Sequence, residues 1–231
     1  NHLMHILRRN VNVNIVLFNN QIYGLTKGQY SPTSPIGLVT TSTPAGSVDR
    51  PLNPLSVALG CEASFVARSI DVHSKHLIET LKRAAAHEGS SFVEVYQNCN
   101  VYNDGAFEYA SDRKTRPDAT LELEHGKPMI FGADRDKGIR LNGLDLEIVS
   151  LDDTPEDELL VHDEARSDTT LAHMLAKLRF PDFPEPIGVL RAVNQPCYDA
   201  DLNSQVQKQR EKNPDTGLES LFAAGDTWTV S

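Results

Sequence analysis

Residues 11–18, VNVNIVLF, begin by alternating apolar and polar side chains, become continuously apolar, and stop at Asn19-Asn20. That pattern predicts a strand of a buried parallel sheet. The theme then repeats. Residues 65–68 (FVAR) and 91–97 (SFVEVYQ) predict two further strands. Between them Ser74 can cap a helix with Leu77, Ile78, Leu81, Ala84 and Ala85 on one face, ended by Gly89. Short helices are also expected over residues 2–9, with Leu3, Ile6 and Leu7 on one face, and over residues 54–60. Strand–helix–strand alternation at this spacing predicts an α/β fold with a right-handed parallel sheet.

Two regions break the alternation. Residues 21–53 are polar and rich in turn formers, with Gly24, Gly28, Gly37 and Gly46 and Pro32, Pro35, Pro44 and Pro51. A loop this long inside a compact domain is usually functional; a disordered linker is the alternative, and the position directly after a core strand argues against it. After Asn103 the pattern weakens. Residues 104–165 are charged and turn-rich, a helix bearing Leu171, Met174, Leu175 and Leu178 ends before Pro181, residues 181–186 read as extended, and 203–213 as a polar helix. The expected organisation is a domain over residues 1–112 and a less regular C-terminal extension, 113–231, packed on the domain or on a partner subunit.

Charge and cysteine content narrow the function classes. The net charge is -10, yet residues 1–110 hold eight acids and eight bases, so the whole excess lies in 111–231. Such an acidic surface disfavours nucleic acid, which needs basic clusters. No apolar run reaches the ~18 residues of a membrane-spanning helix. Three cysteines far apart in sequence, Cys61, Cys99 and Cys197, argue against a disulfide framework and for a reducing cytoplasm.

In open α/β sheets, ligands bind at the carboxyl ends of strands, and Asn19-Asn20 occupies such an end. A side-chain amide oxygen and a nearby backbone carbonyl are hard ligands suited to Mg²⁺. Gly24 and Gly28, around Thr26, Lys27 and Gln29, would let donors approach phosphate or carboxylate oxygens. Taken alone, however, an Asn pair after a strand reads first as a turn, a lone lysine as an exposed side chain, and a lone cysteine as a small buried hydrophobe.

The segment RRNVNVNIVLFNNQIYGLTKGQYSPTSP resembles the second half of the thiamine-diphosphate-binding motif, which begins with Gly-Asp-Gly and ends in Asn-Asn. Its continuation IYGLTKGQYSPTSP, with PLNPLSVALGCEASFVAR and YQNCNVYNDGAF further on, resembles beta subunits of the 2-oxoacid:ferredoxin oxidoreductases, in particular the 2-oxoglutarate type. The likeness is strong to about Phe107 and looser beyond. It implies a parallel-sheet thiamine-diphosphate-binding fold. It also implies oxidative decarboxylation of a 2-oxoacid to an acyl-coenzyme A, with electrons leaving through a [4Fe–4S] cluster to ferredoxin. Pyruvate and 2-oxoglutarate both remain open as substrates.

Carried over by residue, the resemblance implies that Asn20 gives Mg²⁺ its side-chain oxygen and Ile22 its backbone carbonyl. Gly24, Thr26, Gly28 and Gln29 border the cofactor diphosphate, Lys27 meets the substrate carboxylate, and Cys99 is one of four cluster thiolates. The Gln97-Asn98-Cys99-Asn100 context departs from the family's usual Pro-Cys. An alpha subunit is the implied partner. Because Gly-Asp-Gly is missing, the chain is expected to be truncated at its N-terminus and inactive alone, with incomplete Mg²⁺ and cluster sites. Another thiamine-diphosphate decarboxylase or synthase, or a non-catalytic subunit of the same fold, are the competing readings.

Overall fold

The structure is a computed structural model, and it describes residues 2–213, 217–226 and 228. In chain order the elements are α1 (His2–Arg9), β1 (Val13–Asn19), α2 (Pro54–Gly60), β2 (Phe65–Ile70), α3 (Ser74–Ala86) and β3 (Ser90–Tyr96). Then follow α4 (Glu108–Ser111), α5 (Arg116–Ala119), β4 (Thr120–Leu123), β5 (Ile130–Phe131), β6 (Lys137–Asn142) and β7 (Asp145–Ser150). A 3₁₀ turn at Glu156–Glu158 leads to α6 (Thr170–Lys177), β8 (Glu185–Ala192), α7 (Tyr198–Lys212) and α8 (Leu218–Phe222). The two elements expected at the N-terminus and the four expected between residues 54 and 97 appear within a few residues of their predicted bounds.

The main sheet has five strands in the order β1-β3-β2-β8-β4. β1, β3 and β2 are mutually parallel, β8 runs antiparallel to β2, and β4 parallels β8. β2 and β3 are buried along their whole length. Their alternating side chains feed two layers. Val66 and Phe92 point into the larger core with Leu7, Leu55, Leu59, Leu121, Leu175 and Leu190, against α1, α2 and α6. Phe65, Ala67, Val93 and Val95 pack on the other face against Ala84, Leu77 and Leu81 of α3. This is the three-layer packing that a parallel sheet requires.

β1 departs from the expectation of burial on both sides. It forms one edge of the sheet, and Phe18 is 59% exposed, with Val13 and Val16 also exposed. Its apolar composition matches a central strand, but among the described residues nothing covers one of its faces.

The C-terminal region is more regular than its composition suggests. Two of its strands, β4 and β8, extend the main sheet, and β5-β6-β7 form a separate antiparallel sheet. The β6–β7 hairpin turns at Asn142-Gly143, with φ of 64° at Gly143. An Asn-Gly pair between alternating segments is a strong hairpin signal, and that signal was present in KGIRLNGLDLEIVS. The segment expected to be merely extended, 181–186, leads into β8 from Glu185.

Asn10 ties the two ends of the chain to the sheet. Its Oδ1 accepts from Ser64 Oγ (2.6 Å) and Ser90 N (2.9 Å), while its Nδ2 donates to Gln195 O (3.1 Å) and Pro196 O (3.2 Å). Gly89, with φ of 124°, lies against it; a Cβ there would sit 2.4 Å from Asn10 Oδ1.

Two stability predictions follow from this packing. Phe92→Ala empties a fully buried site and should cost about 3–5 kcal/mol, whereas Phe18→Ala on the exposed edge should stay within about 0.5 kcal/mol. Urea unfolding of the 231-residue chain measures both, and a large loss at Phe18 would show that β1 is covered. The second concerns His76 in the first turn of α3. Burial, with neighbouring His73, lowers it to about 4 from 6.5, and its Nδ1 pairs with Ser69 Oγ at 2.8 Å. The folded value is the lower one, so its contribution is complete above about 6.5 and is lost as pH falls toward 4. Unfolding free energy should therefore decline across that window, and His76→Asn should remove part of the slope. An unaltered slope in the variant refutes the assignment.

Candidate functional site

Two loops leave the main sheet side by side. The parallel register of β1 and β3 pairs Asn19 with Tyr96, so both strands end at one level. Gln97 N then donates to Asn19 O at 3.0 Å, extending the ladder by one bond into the loops.

The first loop opens with a tight turn. Asn19 Oδ1 accepts from Gln21 N (3.2 Å), and Asn20 Oδ1 accepts from Ile22 N (3.3 Å), two successive Asx turns. Gln21 is left-handed, with φ of 55°. Ile22 is buried and Asn20 half-buried. Tyr23 then closes a small loop on Gln29: Tyr23 N donates to Gln29 O (2.8 Å), and Gly28 N (3.1 Å) and Gln29 N (3.3 Å) both donate to Tyr23 O. Thr26 Oγ1 also donates to Tyr23 O, at 3.3 Å. At the tip Lys27 (φ 66°) and Gly28 (φ 88°) are consecutively left-handed. A non-glycine residue there is uncommon and marks a backbone fixed by its surroundings. Thr26, Lys27 and Gln29 are exposed.

The second loop, residues 97–105, locks onto the first. Asn103 Nδ2 donates to Asn20 O at 2.9 Å, and Asn103 N to Cys99 O at 3.0 Å. The Tyr102 ring lies on Gly28 so closely that a Cβ at Gly28 would stand 2.8 Å from Cδ1. A Cβ at Gly24 would come 3.6 Å from Cys99 Sγ. Asn98 organises this loop from within, donating to Asn100 Oδ1 and Asp104 Oδ1 (both 2.7 Å) and accepting from Gly105 N (2.9 Å). Asn20, Ile22, Gly24, Lys27, Gly28 and Cys99 thus belong to one interlocked pair of loops. Gln29 and Thr26 sit on the same loop. The long segment that holds them is ordered by its own bonds, among them Gly37 N to Ser47 O (2.7 Å) and Leu52 N to Pro32 O (2.7 Å). It is a built loop rather than a linker.

The donor chemistry is divided by position. The Asn20 amide oxygen and the Ile22 carbonyl are two residues apart on the ordered turn; both are hard oxygen donors, which suits Mg²⁺. Cys99 offers one soft sulfur atom, half-buried, on the facing loop. Cys61 packs against the main core and Cys197 lies near Asn10, so neither joins it. Among the described residues no three His, Cys, Asp or Glu side chains converge as a metal site. Sequence reasoning missed the residues that hold the turn from below, Thr33, Glu94 and Arg68. Their signal was a glutamate and an arginine in two strands otherwise made of small and apolar residues.

Comparison with known proteins bears on the family of the chain. Residues 1–95 match the model of the thiamine pyrophosphate enzyme C-terminal TPP binding domain. The whole chain is 44% identical over 233 residues to the 2-oxoglutarate oxidoreductase subunit KorB of Mycobacterium tuberculosis, covering 62% of that protein. It is 41% identical over 103 residues, 45% of this chain and 34% of the relative, to the 2-oxoacid:ferredoxin oxidoreductase subunit beta of Saccharolobus solfataricus. In structure, 98% of the chain superposes on 62% of a chain of the 2-oxoglutarate:ferredoxin oxidoreductase from Magnetococcus marinus, solved with 2-oxoglutarate, coenzyme A and succinyl-CoA bound. The TM-score is 0.68 and the identity 28%. The chain therefore spans less than two thirds of the length of these relatives. With identity sustained from end to end, a shared fold and the Asn-Asn turn at its expected strand end, the chain belongs to the 2-oxoacid:ferredoxin oxidoreductase beta-subunit family.

Proposed function

We propose that this chain forms the cofactor-anchoring part of a beta subunit that carries out oxidative decarboxylation of a 2-oxoacid, 2-oxoglutarate before pyruvate, to an acyl-coenzyme A. The observation that carries the reading is the interlock itself. Hard oxygens on the Asn20–Ile22 turn and the soft thiolate of Cys99 lie on loops bonded to each other through Asn103 and stacked through Tyr102 and Gly28. A site that must hold a magnesium diphosphate beside a one-electron acceptor needs that pairing of chemistries.

Within it, the Asn20 side-chain oxygen and the Ile22 carbonyl would take two positions on Mg²⁺. The loop over Gly24, Thr26, Gly28 and Gln29 would border the diphosphate. Bound thiamine diphosphate would supply the electron sink that decarboxylation requires. Lys27, exposed at the loop tip, would meet the substrate carboxylate as a point charge. Cys99 would be one of the four thiolates of a [4Fe–4S] cluster, through which electrons pass to ferredoxin. Residues 1–112 would serve this site. Residues 113–231, which carry the excess negative charge and the second sheet, would pack on that domain and on an alpha subunit. The three unpaired cysteines suit a reducing cytoplasm.

Three experiments test the reading. In the complete complex, Lys27→Ala should lower kcat/KM for the 2-oxoacid by about 10²-fold, the range for loss of a charge-assisted contact. Turnover that is unchanged would favour a non-catalytic subunit. Cys99→Ser should abolish the cluster's electron paramagnetic resonance signal while cofactor binding persists; an enzyme active without iron would point instead to a non-oxidative decarboxylase. The isolated 231-residue chain, holding only part of each donor set, should bind Mg²⁺–thiamine diphosphate weakly and retain no stable cluster. A fully occupied cluster on it would contradict the proposed ligand count.

A further inference from the structure

Beneath the Asn19–Ile22 turn lies a buried ionic assembly that takes no direct part in the proposed cofactor anchoring. Arg68 on β2 and Glu94 on β3 are register partners in the middle of the sheet, and both are buried. Arg68 Nε donates to Glu94 Oε2 at 2.9 Å. The guanidinium is held on its other sides by Glu185 of β8 (Nη1 to Oε2, 3.7 Å) and by the Tyr96 ring, 4.8 Å from its carbon. Tyr96 and Tyr109 hydroxyls donate to the two oxygens of Glu185. A buried ion pair of this kind is weak evidence for stability, since apolar side chains of similar volume often stabilise as well or better.

The unused oxygen of Glu94 leads to the turn. Glu94 Oε1 accepts from Asn19 Nδ2 at 2.7 Å. The other end of that amide, Asn19 Oδ1, accepts from Thr33 Oγ1 at 2.7 Å and from Gln21 N at 3.2 Å. A carboxylate can only accept, so one orientation of the Asn19 amide is favoured: a flip would set its oxygen against Glu94 and its NH₂ against the Gln21 N–H. The orientation in turn holds Gln21 in its left-handed conformation, and Ser34 Oγ donates to Gln21 O at 2.5 Å to close the turn. Asn20 and Ile22 flank Gln21 directly.

We propose that Arg68, Glu94, Asn19 and Thr33 form a positioning relay that sets the spacing of the Asn20 and Ile22 oxygens and so tunes the affinity for magnesium diphosphate. The proposal rests on the assignment of those two oxygens to Mg²⁺. In it, Arg68 fixes Glu94, Glu94 fixes the Asn19 amide, and Thr33 brings the 31–35 segment of the long loop onto the same amide. None of the four touches the metal. The relay acts on the turn's geometry, so its loss should weaken metal and cofactor retention and spare turnover once the metal is saturating.

The test uses the complete oxidoreductase, partner subunit included, and reads the Mg²⁺ concentration at which half the enzyme retains thiamine diphosphate after dialysis, measured as thiochrome fluorescence. Thr33→Val keeps the shape of the side chain and deletes its donor. It should raise the half-saturating Mg²⁺ by about fivefold to tenfold, the equivalent of one hydrogen bond to a buried amide, with kcat at saturating Mg²⁺ within about twofold. Thr33→Ser should restore the wild-type titration. In an Asn19→Ala background Thr33→Val should add nothing further, because the two act through one amide. A Thr33→Val enzyme whose Mg²⁺ titration is unchanged, or an additive effect with Asn19→Ala, overturns the relay. Asn20→Ala separates the two readings: if it abolishes retention while Thr33→Val leaves the titration unmoved, the metal assignment stands and the relay falls. If Asn20→Ala changes nothing, the metal assignment fails and the relay with it.

Discussion

The parallel pairing of β1 with β3 is the constraint from which the site grows. In a parallel pair the bonds are evenly spaced and both strands run out in the same direction. Once Val13 is opposite Ser90, Asn19 must stand opposite Tyr96, and the chain leaves both strands at one height. A slip of one residue would turn every β3 side chain to the other face. It would take Phe92 out of the large core and Glu94 away from Arg68. Asn10 secures the far end of the same register, since its side-chain oxygen accepts from Ser90 N at the first residue of β3. Asn20 and Cys99, distant in sequence, are brought together by this register.

The sheet carries its polar residues with a direction. At the amino end of β3, Ser90 and Ser91 satisfy Asn10, Asn14 and backbone carbonyls. The middle is apolar. At the carboxyl end come Glu94 and Tyr96, facing Arg68 and Glu185. Burying this much charge is tolerable because each partner is satisfied by the next, with only Arg68 Nη2 left without a protein acceptor. The ionic assembly therefore sits toward the strand ends against the turn, bordered by the small apolar cluster of Ile70, Phe107, Ala110 and Ile187 that Tyr96 joins.

Much of the architecture was legible in the sequence because periodicity and composition report burial. β3 lies within a residue of its predicted bounds, with residues 90–96 buried throughout; α3 begins at Ser74 as its first helical residue rather than its cap and ends at Ala86, three residues before Gly89, while Leu77, Leu81 and Ala84 do face the sheet. The same logic misjudged β1, where apolar side chains suit a central strand and the structure shows an edge. Local apolar content cannot say which neighbour is present. The β6–β7 hairpin was overlooked because its charged residues masked a turn signal at Asn142-Gly143 that was there to be read. At the site, Asn20, Lys27 and Cys99 came from motif resemblance. It named Asn19 only as half of the Asn-Asn pair and did not reach Thr33 or Glu94, because the role of all three is a set of pairings across 14 and 75 positions of sequence.

The loop tip shows why a motif and its geometry carry different information. Lys27 and Gly28 are both left-handed, and only the second is a residue that adopts this conformation without cost. Left-handed backbone at a lysine costs on the order of 1 kcal/mol or more and persists where the surroundings dictate it. Here Lys27 N is bonded back to Gly24 O, and Gly28 is pressed under the Tyr102 ring, where no side chain fits. Glycine at position 28 is therefore demanded twice, by its φ and by the aromatic ring of the opposite loop. Tyr102 in turn is placed by the loop that presents Cys99. The conformation of Lys27, proposed to meet the substrate, is thus set in part by the loop that presents Cys99, through the Gly28–Tyr102 contact.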